Sequence, residues 1–75
     1  MIILNQSKTE IVNLKNIKHI EIKEMQFTDN KILYGIFTET GVIAKYEEEE
    51  RAQEILLDIY SKLVENKNNY RIPEE

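Results

Sequence analysis

Val42-Ile43-Ala44-Lys45-Tyr46-Glu47-Glu48-Glu49-Glu50-Arg51-Ala52-Gln53-Glu54-Ile55-Leu56 is the stretch in which the hydrophobic pattern changes period. Up to Tyr46 the residues are those of a β-strand. Beyond Glu47 or Glu48, and as far as about Asn66, the apolar positions Ala52, Ile55, Leu56, Ile59 and Leu63 fall at i, i+3, i+4, i+7 and i+11, which is the core-facing stripe of a helix. Glu47 to Glu50 suit a first turn, where unpaired amides and the helix dipole favour negative charge. Asn66-Lys67-Asn68-Asn69 supplies residues that tolerate the left-handed conformation and a cation, as helix ends do. Leu57, Tyr60 and Val64 make a second stripe, turned by roughly 100° from the first.

Upstream of the change, runs rich in Ile, Val, Tyr and Phe alternate with breaks of Asn, Asp, Thr and Gly. Strands are expected at Ile2 to Leu4, Glu10 to Leu14, Ile17 to Met25, Lys31 to Thr38 and Val42 to Tyr46. The intervening turns are Asn5-Gln6-Ser7-Lys8, Lys15-Asn16, Thr28-Asp29-Asn30 and Glu39-Thr40-Gly41. Connections this short join antiparallel neighbours. The expected fold class is therefore α+β: a five-stranded antiparallel meander, as a curved sheet or half-barrel, packed against one C-terminal α-helix. Residues 1–67 would form the domain and 68–75 an extended tail, in which Pro73 excludes a helix. Tyr70-Arg71-Ile72-Pro73 reads either as a segment lying across a neighbour or as a frayed terminus.

Two strands carry more detail. In the third, Ile20 and Ile22 share one face and His19, Glu21 and Lys23 the other. In the fourth, Ile32, Tyr34 and Ile36 lie on one side and Leu33 and Phe37 on the other, so both faces need cover. The helix can supply one cover; sheet curvature or a second subunit must supply the other. Gly35 fits a bulge in this strand, or a place where another backbone or a ligand comes close.

The 75 residues hold 10 Lys and Arg against 14 Asp and Glu, a net charge of −4, with 41 % hydrophobic and 32 % charged residues and no cysteine. One domain fits this length. Without cysteine there is no disulfide framework, thiolate metal site or nucleophilic thiol, which suits a reducing cytoplasm. Apolar runs stop far short of the ~20 residues that a membrane helix needs, and the start lacks a basic leader, so neither export nor a membrane is expected. Residues 1–46 have six lysines against five acids, whereas 47–75 have four cations against nine acids. No clustered cationic stripe exists, which argues against duplex nucleic acid. Domains below roughly 70–80 residues often gain stability by oligomerising. Self-association is thus expected, most simply as a homodimer.

No residue set reaches the density of a catalytic or metal site, and no cofactor is expected. His19 and Glu21 share a strand face but lack further ligands. Glu47 to Glu50 point about 100° apart in succession and cannot converge on one ion. Ser7 and Ser61 have a single histidine in the chain to draw on, which makes a triad improbable. Leu57, Tyr60 and Val64 form a stripe without obvious cover. With Tyr70 and Ile72 they are the candidate oligomer contact, docking on the sheet edge being the alternative. Lys8, Lys15, Lys18, Lys31, Tyr34 and Arg71 are the candidate ligand-binding set, should a subunit junction gather them around an anion.

Ile3-Leu4-Asn5-Gln6-Ser7-Lys8, Ile11-Val12-Asn13-Leu14 with Ile17, and Lys45-Tyr46 leading into Glu49-Glu50-Arg51-Ala52 and Ile55-Leu56 resemble small phage and prophage proteins of Firmicutes. The resemblance spans about residues 2–60. Ala44 stands where a glycine is common, and Glu48 where a Ser or Thr cap is common. What it implies is fold and phage context, since that family has no agreed activity and no catalytic residues to carry over. The order of sheet then helix also resembles pleckstrin-homology-like half-barrels, a scaffold used for binding. Two functions are consistent with these readings. One is a non-enzymatic, homo-oligomeric phage or mobile-element protein that occludes or sequesters a host component. That component would be a host protein or an anionic signalling nucleotide, as in phage counter-defence. The other is a structural or regulatory subunit of a larger assembly, with no free ligand.

Overall fold

Among the residues that the computed structural model describes, 1–27 and 29–75, six strands and one α-helix are present. They are β1 (Ile2–Leu4), β2 (Ile11–Asn13), β3 (Glu21–Gln26), β4 (Ile32–Thr38), β5 (Gly41–Tyr46), α1 (Glu49–Val64) and β6 (Asn69–Arg71). The class is α+β, with one C-terminal helix packed on a sheet. The strands do not form one meander. Three antiparallel strands in the order β3-β4-β5 make the sheet under the helix, and β2-β1-β6 make a second sheet.

The break between the sheets falls where a two-residue turn is expected. Asn13 Oδ1 accepts the Lys15 amide at 3.0 Å and caps a 3-10 turn over Leu14–Asn16. Leu14, Ile17 and Ile20 then pack against the core at a spacing of three. That period cannot continue a strand of period two, so the chain leaves the first sheet and crosses to the second along the Tyr60 flank of α1 before β3 starts at Glu21. Glu39 fixes the crossing: its carboxylate accepts the Lys18 amide at 2.9 and 3.0 Å and the His19 amide at 2.8 Å.

The tail is a strand of the chain's own fold. β6 runs parallel to β1, with Ile3 opposite Tyr70 and Leu4 opposite Arg71. A parallel neighbour needs a long crossover, and α1 belongs to that crossover. Tyr70 and Ile72 enter the core with Ile3 and Val12. Hydrogen bonds hold the remainder: Tyr46 Oη donates to Pro73 O at 2.7 Å, the Arg51 guanidinium to Glu75 O, and Lys8 pairs with Glu74 at 2.6 Å.

Ile36, Ala44 and Tyr46 on the inner face of the β3-β4-β5 sheet meet Ala52, Ile55 and Ile59 of α1. Ile3, Ile36 and Ile59 are fully buried. On the outer face, a Cβ at Gly35 would lie 2.6 Å from Phe37 Cε1 and 2.8 Å from Met25 Sδ. The missing side chain thus lets the Phe37 ring and the Met25 thioether fold over the strand. The register between β4 and β5 shifts beside it, at Ile36/Phe37. The expected turns are occupied by Lys8, Asn30 and Gly41 at positive φ. Thr28, of the turn expected at Thr28-Asp29-Asn30, lies outside the described residues.

Candidate functional site: an apolar groove beside the helix

α1 is amphipathic over more than the arc its sheet covers. Leu57, Tyr60 and Val64 are 65 %, 65 % and 64 % exposed, and Leu63 is 43 % exposed. Next to them runs a groove of about 460 Å³, lined by Leu14, Ile17, Lys18, His19 and Ile20 from the crossing segment and by Leu56, Leu57, Ile59, Tyr60 and Leu63 from the helix. The groove exists because the 3-10 turn and the Glu39 cap lead the crossing segment past the C-terminal half of α1 without filling the space beside Tyr60. Its walls are mostly apolar, with Lys18 and His19 on one bank.

The opposite flank of α1 is occupied. Tyr70 Oη donates to Asp58 Oδ2 at 2.6 Å, and Lys62 Nζ lies 3.4 Å from Asp58 Oδ1. The Tyr70 hydroxyl is the main cause holding the Asp58 carboxyl below its ordinary range. Burial first, and then the Asp58 carboxylate, push the Tyr70 phenol well above its own. Tyr70 and Ile72 are 9 % and 2 % exposed in the chain's own core, which leaves them little surface to offer a second subunit. Of the five expected oligomer-contact residues, the structure leaves Leu57, Tyr60 and Val64 open on one side of the helix.

The candidate anion-binding residues are dispersed. Lys18 lines the apolar groove and Lys31 a different one. Lys8 is paired with Glu74, and Lys31 lies 3.7 Å from Glu47. Lys15 and Arg71 line neither groove, and Tyr34 packs half-buried against the core. The Lys31 groove also holds Lys45 and Arg51, but Glu47, Glu48, Glu74 and Glu75 outnumber these cations.

His19 sits 3.7 Å from Glu21 and 3.4 Å from Glu39. Glu39 is committed to two backbone amides, which hold its carboxyl below the ordinary range. Among the described residues, no group of three or more His, Asp or Glu side chains is placed to hold a metal. No helix among them is long and apolar enough to cross a membrane. The groove itself escaped the sequence reading; Leu14, Ile17 and Ile20, spaced by three, were the available signal.

Comparison with protein-family models, with curated proteins and with solved structures finds no match for this chain. What it does is therefore read from its own geometry.

Proposed function

We propose that this chain is a non-enzymatic binding protein of phage or mobile-element type, working as a homo-oligomer that occludes or sequesters a host component. The observation that supports this reading is the open stripe Leu57, Tyr60, Val64 with its adjoining groove. A continuous apolar face of this kind on a small monomer marks an interaction surface, since leaving it in water forgoes favourable burial. The stripe serves self-association. The scatter of Lys8, Lys15, Lys18, Lys31 and Arg71 favours a host protein over a signalling nucleotide as the sequestered component.

A native mass spectrum of protein purified gently from host cells tests the reading. A discrete homo-oligomer that Tyr60→Ala or Leu57→Ala converts to monomer supports it. A bare monomer at every concentration contradicts it. Extra mass of nucleotide size on the oligomer would overturn the preference for a protein target.

A further inference from the structure

Among the described residues, the open stripe has a neighbour that likewise pairs on one side only. β3 is an edge strand of its sheet. The Phe27 amide donates to the Lys31 carbonyl at 2.9 Å, so Phe27 and Lys31 form a hydrogen-bonded pair of the β3-β4 hairpin. Such pairs alternate along an antiparallel ladder. The backbones of Glu21, Lys23 and Met25 therefore turn toward β4, and those of Ile22 and Glu24 turn away from it, as edge groups free to pair.

We infer that β3 pairs antiparallel with β3 of a second copy about a two-fold axis at Ile22, and that the same axis brings the two α1 stripes together. This rests on the reading of the chain as a homo-oligomer and assigns its geometry. A two-fold axis normal to the sheet keeps each side chain on its own face, which limits the registers to those placing odd residues opposite odd ones. With Ile22 opposite Ile22, Glu21 of each copy faces Lys23 of the other, in non-hydrogen-bonded pairs where side chains approach closest. Sliding the strands to the next allowed register in one direction sets Lys23 against Lys23. Sliding them in the other direction sets Glu21 against Glu21. Charge complementarity thus favours this register over its two neighbours. Lys23 Nζ already lies 3.1 Å from Glu21 of its own chain and 5.5 Å from the Phe37 ring centroid, so it stands on this face ready to bridge two strands.

The helix follows from the same symmetry. Both copies of α1 lie on one face of the resulting six-stranded sheet, side by side and antiparallel. The flank of α1 carrying Asp58 is covered by the tail through Tyr70. The flank carrying Tyr60 and Leu63 borders the groove that ends at Ile20, one residue before β3. The Tyr60 side of the stripe therefore faces across the axis toward its counterpart, and one contact would cover the free edge and that part of the open helix face.

Sedimentation equilibrium on Lys23→Glu, Glu21→Lys and the combined exchange tests the pairing. Each single change should raise the dimer dissociation constant by about tenfold, and the exchange should restore it. A dimer indifferent to all three variants overturns the inference while leaving self-association intact; a wild-type monomer overturns the homo-oligomer reading itself. Because the chain has no native cysteine, Ile22→Cys should form an intermolecular disulfide under mild oxidation and Gln26→Cys should not. Equal cross-linking of the two would contradict the register.

Discussion

The side-chain amide of Gln6 pairs with the backbone of Lys45 as a strand residue would, accepting the Lys45 amide at 2.7 Å and donating to its carbonyl at 2.9 Å. The Gln6 backbone amide donates to Ile43 O at 3.0 Å, and its side chain also reaches Glu74 O at 2.8 Å. One residue thus bridges the end of β1, the edge of β5 and the tail. Two three-stranded sheets, each with too little core to stand alone, become one fold across this bridge. Replacing Gln6 by Met keeps the length and removes the pairing. Urea unfolding should show a loss of about 1–3 kcal/mol. An unchanged midpoint would mean that the sheets are joined by the core alone.

Gly35 makes room for its neighbours instead of supplying a special backbone angle. Gly35→Ala places a methyl group against Phe37 and Met25 and should cost about 1–3 kcal/mol through overpacking. Shortening the obstruction with Met25→Ala in the same chain should recover part of that loss. Additive destabilisation by the two changes would contradict the contact.

The Asp58–Tyr70 hydrogen bond ties the tail to α1, and its contribution depends on pH. The folded state holds the Asp58 carboxyl below its ordinary value of 3.8. This stabilisation is therefore complete above that value and is lost as pH falls through the lowered one. Tyr70→Phe should lower stability at neutral pH by about 1–2 kcal/mol and should flatten the acid limb of the stability curve. A parallel downward shift, with the acid slope unchanged, would place the pH dependence elsewhere.

Glu39 holds the crossing segment by its charge. Its carboxyl is likewise lowered, chiefly by the Lys18 and His19 amides, so the hold is present above the ordinary carboxylate range and released below it. In Glu39→Ala, hydrogen exchange at the Lys18 and His19 amides should accelerate toward free-peptide rates at neutral pH. Unchanged protection would show that packing of Ile17 and Ile20 suffices to hold the segment.

The α1 stripe, the turns at Lys8, Asn30 and Gly41, and the two-faced character of β4 were legible because each rests on local periodicity or on residues suited to tight turns. The division into two sheets was not. It depends on Asn13 capping a 3-10 turn and on Glu39 reaching across 21 residues to Lys18, and neither interaction leaves a local pattern. The tail was legible only as an extended segment for a similar reason: a three-residue parallel strand has no alternation to detect, and its partner β1 lies at the other end of the chain. Tyr70 and Ile72 were apolar because they belong to this core. Of the residues expected to meet a second copy, those on the helix were recognisable from the width of the apolar arc, whereas the β3 edge needed the sheet order to reveal it.

Amide hydrogen exchange of the unmodified protein, followed over a dilution series, tests the central claim most directly. Self-pairing of β3 predicts that the Ile22 and Glu24 amides are protected at high concentration and lose that protection together on dilution, while the amides of β4 remain protected. Rapid exchange of Ile22 and Glu24 at every concentration would contradict it.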